Sequence, residues 1–334
     1  MTRKSLSAAA LLIALGTALS GCAGGAAPST QAGGDRQIAV GFFGFAAANS
    51  FAQGVFGGVK DGVAANNATA TFVDGNFDGP TQVQQITDAV TSRRFDVIVI
   101  QANDNLAVQQ PLKAAVDAGI TVVVEFTPVG PDLDTVAPQV PGAISIVDPP
   151  VGNGEALGEL GISACADTGK PSCKVAYMEG FRSLPLDNAR TKAVVDTLRT
   201  KPGVEVVAQV EGGYTQDKGR SAFQDIIQAN PDVDVVIGSS QAIAGASAAA
   251  GATSPIRFVA NGGSKTAVEA VTSKKWFAAY VTDIHKNGAT AAELGVKHAR
   301  GEQVATATDE ADLAPNRGRG TAASLADFTS RYDD

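Results

Sequence analysis

The sequence has few of the residues that most often catalyse reactions or bind metal ions. It contains two histidines, His285 and His298, and three cysteines among 334 residues. It has no Gly-x-Ser-x-Gly motif, no His-Glu-x-x-His motif and no Walker phosphate loop. His285 as a catalytic base would need a nucleophile and a supporting acid, and no motif nominates either. We therefore predict a protein that is not an enzyme and holds no metal ion.

Concentrated positive charge is also missing. The chain has 26 basic and 34 acidic residues, a formal net charge of −8, and no cluster of lysine or arginine. This composition argues against nucleic-acid binding and against electrostatic adhesion to anionic lipid. If Arg3 and Lys4 are removed with a signal peptide, 24 basic residues remain against 34 acidic ones, and the net charge is −10. The acidic balance mainly favours solubility.

The apolar run at the N-terminus is typical of an export signal. Arg3 and Lys4 precede the run at residues 8–19, and two small residues and Cys22 follow it. The run is too short and wrongly flanked for a stable transmembrane helix. The ending resembles the lipobox of exported bacterial lipoproteins, which implies a signal peptide over residues 1–21 and a lipidated Cys22 that anchors the chain to the outer face of the cell membrane. An ordinary signal peptide with an incidental cysteine is the alternative.

A flexible tether is expected to follow the anchor. Residues 22–35 are rich in Gly, Ala, Pro, Ser and Thr and show no apolar period. The folded part begins near Arg36 and has about 300 residues, enough for two ordinary domains.

The two remaining cysteines, Cys165 and Cys173, flank a turn-rich loop. A disulfide can persist in an exported protein, and one between these cysteines would have a structural role, because it would hold the loop in place. The spacing fits no zinc signature. Two free buried thiols are the alternative.

Apolar runs recur at the spacing of a buried parallel sheet, with helical patterns between them. This alternation predicts an α/β fold in which helices cover both faces of parallel sheets. The alternation of strand and helix patterns is interrupted at residues 127–141, so we place the first crossing between two similar domains near Asp148. The predicted strands are 37–43, 69–74, 95–100, 121–126, 143–147, 174–178, 204–210, 233–237, 256–260 and 276–284, and the predicted helices include 81–93, 106–118, 188–200 and a late helix to residue 300.

Polar and aromatic side chains gather where these strands end, which is where open parallel sheets bind ligands. Rings can stack on the C–H faces of a neutral polyhydroxylated ligand while planar polar groups make paired hydrogen bonds. Single residues of these types are more often caps or turn formers. Asn103 could cap a helix, and Arg190 could instead pair with Asp187 or Asp196. The candidate ligand-binding residues are Asn49, Phe51, Gln101, Asn103, Glu125, Phe126, Asp148, Arg190, Tyr214, Ser239, Asn261 and Thr282.

A glycine-rich run imitates a dinucleotide-binding fingerprint. Gly152, Gly154 and Gly158 follow a predicted strand and open a helix, and Glu179 ends the next strand. However, prolines at 149 and 150 interrupt the motif, and its third glycine comes one residue late. The signal also lacks twin arginines, and a chain exported unfolded cannot bring a cofactor with it. We therefore predict no cofactor.

Several segments carry a resemblance to a known family. Asn49-Ser50-Phe51 resembles a helix opening of that family, residues 71–76 and 95–100 resemble its second and third strands, and Arg190 and Tyr214 stand at or near its cleft positions. Over nearly all of residues 36–300, the chain resembles the type I periplasmic sugar-binding proteins, the ribose- and galactose-binding receptors of ABC importers.

The resemblance implies an α/β fold of two Rossmann-like lobes with parallel sheets, joined by three hinge crossings near Asp148, residues 282–283 and Thr308. It implies a monomer that captures a sugar or polyol between its lobes and delivers it to an ABC transporter permease. The expected N-terminal lobe comprises residues 36–147 and 283–308, and the expected C-terminal lobe comprises residues 148–282 and 309–334.

Four departures from the family bear on the ligand. Ala52 replaces an aromatic residue, Glu125-Phe126 replaces an Asp-Arg pair, Gln101 replaces an asparagine, and Asn261 stands where an aspartate is usual. The ligand could therefore be another sugar, a polyol or a less polar molecule. A ligand sensor that docks on a membrane receptor or kinase would have the same fold. A transcriptional regulator would need an N-terminal helix-turn-helix, where this chain has its signal.

Overall fold

The computed structural model describes residues 36–334. The predicted signal peptide, the predicted lipidation site at Cys22 and the predicted tether lie outside the described residues. Within residues 36–334, no helix is long and apolar enough to cross a membrane, and no group of three or more His, Cys, Asp or Glu side chains could hold a metal ion.

The first of two sheets has six strands, all parallel, in the order β11-β5-β4-β3-β1-β2. Its four central strands are almost fully buried, because helices cover both faces. We call this sheet and its helices the first lobe. The strands are β1 (Ile38–Gly44), β2 (Ala68–Asp74), β3 (Val97–Ile100), β4 (Thr121–Phe126), β5 (Ile144–Val147) and β11 (Ala307–Asp309).

The second sheet also has six strands, in the order β12-β10-β9-β8-β6-β7, and only the pairing of β12 with β10 is antiparallel. We call this sheet and its helices the second lobe. The strands are β6 (Cys173–Glu179), β7 (Val204–Glu211), β8 (Val235–Ser239), β9 (Arg257–Asn261), β10 (Ala278–Tyr280) and β12 (Arg319–Gly320).

Nine α-helices and two short 3-10 helices connect the strands of the described chain. The 3-10 helices, Glu310–Leu313 and Pro315–Gly318, lie between β11 and β12. The α-helices are α1 (Ser50–Ala64), α2 (Gly79–Ser92), α3 (Gln109–Asp117), α4 (Pro150–Asp167), α5 (Pro185–Arg199), α6 (Gln216–Ala229), α7 (Ser240–Ala250), α8 (Lys265–Thr272) and α9 (Ile284–Ala299).

The chain passes between the two lobes three times: from β5 into α4, from β10 into α9, and from β11 to β12. This is the two-lobed fold predicted from the resemblance. The predicted strand over residues 276–284 is shorter than expected, since regular pairing is confined to β10 and the chain then turns into the crossing.

The structure joins Cys165 and Cys173 in a disulfide, as predicted, with their Cα atoms 5.6 Å apart. The bridge links the end of α4 to the start of β6. Both cysteines are buried in the core of the second lobe, so the bond holds the intervening loop against that core.

Candidate functional site

A cavity of about 60 Å³ lies between the lobes, at the carboxyl ends of strands from both sheets. Eight of the twelve predicted ligand-binding residues line it. This location follows from the topology, because parallel strands end at the same edge of their sheet and the loops there carry the side chains of the cleft. The eight are Asn49, Phe51, Phe126, Asp148, Arg190, Tyr214, Asn261 and Thr282.

One part of the wall is apolar and consists of packed phenylalanine rings from the first lobe. Phe51 packs edge-on against Phe126 with ring centroids 4.8 Å apart, and Phe45 contacts Phe126 at 6.0 Å. Phe77 stacks on Phe45 at 6.4 Å. The second lobe adds Leu184 to this apolar wall. Ring faces and edges of this kind suit the C–H surface of a ligand.

Phe126 has a backbone conformation that side chains rarely adopt. Its φ is +66°, in the left-handed region, directly at the end of β4. The amide of Thr127 donates to the carbonyl of Glu125 over 2.8 Å, which closes a tight turn around Phe126. Such strain persists where surrounding contacts fix it and is frequent at ligand sites. Here the turn places the ring in the cavity wall.

Arg190 is the cationic group of the cavity, and a buried ion pair holds it. Its Nη1 lies 3.0 Å from Asp187 Oδ1, and Tyr214 donates its hydroxyl proton to the same oxygen. The Phe181 amide donates to the other oxygen of Asp187 over 2.7 Å. Burial raises the pKa of Asp187, and the charge of Arg190 opposes that rise. The salt bridge with Asp187 and a place in the cavity wall therefore coexist, whereas Asp196 pairs with Lys192 instead.

The position of Arg190 depends on close packing of α4 against α5. A Cβ atom at Gly154 would lie 2.6 Å from the carbonyl oxygen of Arg190, and one at Gly158 would lie 2.6 Å from Thr197 Cβ. Only glycine fits such contacts. The glycine run that imitates a dinucleotide fingerprint thus allows two helices to approach, and this approach sets the depth of Arg190 in the cleft.

Asp148 stands at the first crossing, and two residues of the second lobe hydrogen-bond its carboxylate. Tyr280 Oη donates to its Oδ1 over 2.7 Å, and Asn153 Nδ2 donates to its Oδ2 over 2.7 Å. Asn153 also reaches Asn261 Oδ1 at 3.3 Å. Burial raises the pKa of Asp148 to about 6, although these hydrogen bonds and the charge of Arg190 counteract it.

Gln101 and Glu125 lie behind the cavity wall rather than in it. Gln101 donates from Nε2 to Glu125 Oε2 over 2.9 Å and accepts from the Phe45 amide at 3.3 Å. Glu125 is fully buried and also hydrogen-bonds Glu310, a residue of the third crossing. The left-handed turn at Phe126 places its ring in the cavity wall, whereas the Glu125 carboxyl lies beside Glu310 of the third crossing. Glu125, held by Gln101, therefore contacts the third crossing rather than the cavity.

Asn103 and Ser239 also lie outside the lining and have local structural roles. Asn103 donates to the carbonyls of Phe45 and Gly75, at 3.2 and 3.3 Å, and thereby ties two loops together. It caps no helix; the adjacent Asp104 accepts from the amides of Leu106 and Ala107. Ser239 caps α7 by accepting from the Ala242 amide over 3.1 Å.

Nine lining residues are absent from the predicted set. Four of them directly follow the ends of strands, so a prediction that included the first two residues after each strand end would have found them: Phe45, Ser240, Gln241 and Gly262. The loops that carry Phe77, Leu184 and Leu186, the short β10 that carries Tyr280, and the tail that carries Tyr332 show no period that points to a ligand. The complete set is Phe45, Phe77, Leu184, Leu186, Ser240, Gln241, Gly262, Tyr280 and Tyr332.

The sequence profile of the periplasmic binding protein domain family matches residues 40–303. This match covers most of the 334 residues, and the chain therefore belongs to that family. The family consists of extracytoplasmic solute-binding proteins rather than enzymes. The resemblance stated from the sequence is confirmed. No curated protein matches the sequence significantly.

Solved structures with the same fold cover nearly the whole chain. An ABC transporter solute-binding protein from Mycobacterium smegmatis with bound glycerol is 23% identical, with 90% of this chain and 100% of that one covered and a TM-score of 0.72. One from Bacillus halodurans with bound myo-inositol is 19% identical, with 88% and 97% covered and a TM-score of 0.71. One from Actinobacillus succinogenes with bound D-allose is 15% identical, with 87% and 100% covered and a TM-score of 0.73.

Proposed function

We propose that this protein is an extracytoplasmic receptor that captures a small, uncharged polyhydroxylated molecule between its lobes. The observation that carries the proposal is the two-sided cavity, which has packed aromatic rings on one part of its wall and Arg190, Asp148, Asn261 and Thr282 on another. Rings and planar polar groups together match the C–H faces and hydroxyls of a sugar or polyol. The related structures that hold glycerol, myo-inositol and D-allose support this class.

The volume of the cavity limits the size of the ligand that it can hold as it stands. An engineered cavity of about 150 Å³ holds a benzene ring, and the cavity here is about 60 Å³. A ligand smaller than a six-membered ring fits the present walls, whereas a pyranose or an inositol requires the lobes to separate further. Binding would then shift a balance between open and closed arrangements about the three crossings.

Delivery and anchoring complete the proposal. The receptor would hand its ligand to an ABC permease, as the class of the related solute-binding proteins suggests. The lipobox-like Cys22 would hold it at the outer face of the cell membrane through its acyl chains.

The proposal is tested by thermal unfolding of the purified chain against glycerol, linear polyols, inositols, pentoses and hexoses. A ligand at 100 times its dissociation constant adds about 2.7 kcal/mol to the free energy of unfolding, which raises the midpoint by several degrees. The Thr282→Val and Asn261→Ala variants should weaken the response, because each removes a polar group from the cavity wall.

The matched control is Arg199→Ala, which removes an exposed cation from the far end of the helix that carries Arg190. Its response to ligand should equal that of the wild type. If no polyol or sugar raises the unfolding midpoint, the proposed ligand class is wrong. If all variants respond to the ligand as the wild type does, the ligand does not bind in this cavity.

A further inference from the structure

Phe77 is the residue at which the aromatic side chains of the two lobes meet. Its ring lines the cavity and is half-buried. It lies nearly parallel to Phe45 of the first lobe, with the ring planes 17° apart and the centroids 6.4 Å apart. It also lies nearly parallel to Tyr214 of the second lobe, at 10° and 6.3 Å, and Phe181 of that lobe packs edge-on against it at 5.3 Å. The ring therefore occupies space at the boundary between the lobes, in the wall of the cavity.

The backbone that carries this ring has an unfavourable conformation. Asn76 and Phe77, in the loop between β2 and α2, have φ values of +47° and +52°, in the left-handed region. Asparagine adopts this region more readily than most residues, whereas a bulky side chain such as phenylalanine does so rarely. Strain of this kind is frequent at ligand sites, where surrounding contacts fix it. The strain at Phe77 is explained if the position of its ring matters for the ligand.

Backbone hydrogen bonds anchor this loop to the first lobe. The Phe77 amide donates to the Phe45 carbonyl over 2.8 Å, and the Gly75 amide donates to the Gly44 carbonyl over 3.1 Å. The side chain of Asn103 donates to the Gly75 carbonyl at 3.3 Å. These bonds tie the loop to the ends of two neighbouring strands, so the ring keeps a fixed place in the cavity wall.

We propose that Phe77 is a specificity-determining residue that selects ligands smaller than a six-membered ring. The present cavity of about 60 Å³ is too small for such a ring. Truncation of Phe77 at its Cβ atom would remove a six-membered ring from the wall, and the space that it leaves would hold a ligand ring of similar size. This inference rests on the proposed function, since it names the size class of the ligand of the same cavity.

The contacts of Phe77 also make a larger ligand costly to bind in the wild type. A pyranose or an inositol would have to separate the lobes, and this separation breaks the contacts of Phe77 with Phe181 and Tyr214. A short linear polyol fits between the walls and keeps these contacts. The ring thus favours the smaller ligand in two ways, by the volume that it fills and by the contacts that it makes.

The test is titration calorimetry of the wild type and Phe77→Ala with glycerol, erythritol and myo-inositol. The measured quantity is the affinity for myo-inositol divided by the affinity for the better-binding linear polyol. We expect this ratio to be below one in the wild type and to rise about tenfold or more in the variant, because a misfit of even one methylene group can change the affinity of a pocket by that factor. Phe77→Leu retains part of the side-chain volume and should give a smaller rise.

The matched control is Phe181→Ala. Phe181 packs edge-on against Phe77 and Tyr214, at 5.3 Å in both cases, but does not line the cavity. Its truncation therefore weakens the same contact between the lobes and leaves the cavity wall in place. We expect this variant to change the affinity for all three polyols by a similar factor, so the ratio should equal that of the wild type.

The outcomes separate this inference from the proposed function. If the wild type binds myo-inositol more tightly than either linear polyol, or if the ratio is the same in Phe77→Ala, the inference is wrong while the proposed function stands. If Phe181→Ala raises the ratio as much as Phe77→Ala does, the contact between the lobes selects the ligand, and the inference is again wrong. If no polyol or sugar binds to the wild type or to any variant, the proposed ligand class fails, and the selection by size fails with it.

Discussion

Replacing Glu125 by glutamine should remove much of the pH dependence of stability. Glu125 is fully buried at the third crossing, and burial raises its pKa from 4.5 to about 8, although hydrogen bonds from Gln101 and Glu310 oppose the rise. Burial and the neighbouring Glu125 raise the pKa of Glu310 well above its usual value. The pair thus keeps protons in the folded protein at pH values where the unfolded chain has lost them.

The sign of the effect follows from proton linkage. Between pH 4.5 and about 8, the folded state binds more protons at Glu125 than the unfolded state, so the free energy of unfolding falls as pH rises. The stability is fully present below about pH 4.5 and is lost as pH passes through 8. At about 1.4 kcal/mol per pKa unit, the loss attributable to Glu125 reaches at most about 5 kcal/mol, a large share of ordinary stability.

The measurement is denaturant unfolding of wild-type and Glu125→Gln protein from pH 5 to pH 9. We expect the two to agree within about 1 kcal/mol at pH 5 and the variant to be the more stable at pH 9. Asp148 also titrates abnormally but is present in both proteins, so the difference reports the titration of the Glu125–Glu310 pair. Exposed Glu155→Gln is the control and should follow the wild type. Parallel curves for Glu125→Gln and the wild type would refute the reasoning.

Two further predictions concern packing and the disulfide. Gly154→Ala should lower both stability and ligand response, because its methyl group would press on the α5 backbone, whereas Gly152→Ala in the same helix meets nothing within 4 Å and should stabilise by up to about 1 kcal/mol; equal unfolding midpoints would contradict this. The double variant Cys165→Ser, Cys173→Ser should lose about 2.5 kcal/mol relative to the oxidised wild type by loop-closure entropy. Denaturant unfolding measures the loss, the reduced wild type should behave like the variant, and a midpoint equal to that of the oxidised wild type would show that the bridge adds nothing.

The sequence was sufficient to predict the interior of both sheets. The strand over residues 121–126 was placed at its observed bounds, since a β-branched run flanked by turn signals leaves little choice. Two of the four edge strands were not predicted, because β11 and β12 have three and two residues and are defined by partners distant in sequence. Their own residues carry no apolar period. The other two, β2 and β7, were predicted almost at their observed bounds.

The ends of the predicted strands indicated where the cavity lies, but they did not indicate which side chains face it. Phe126 and Glu125 are adjacent, yet one lines the cavity and the other turns to the hinge. Which residue faces the ligand depends on the left-handed turn at Phe126, a property of tertiary packing. Tyr332 could not be predicted at all, because the contacts that bring it to the cavity come from helices far away in the chain.

The aromatic contacts between the lobes also bear on how long a ligand stays. Phe77 of the first lobe lies 5.3 Å from Phe181 and 6.3 Å from Tyr214 of the second lobe, measured between ring centroids. Such pairs each contribute about 0.5–1.5 kcal/mol beyond their buried area. Because these contacts must break before the lobes separate, a bound ligand would leave slowly in free solution. Rapid unloading would then require an external partner that pulls these rings apart, so residence time would be set at the docking step.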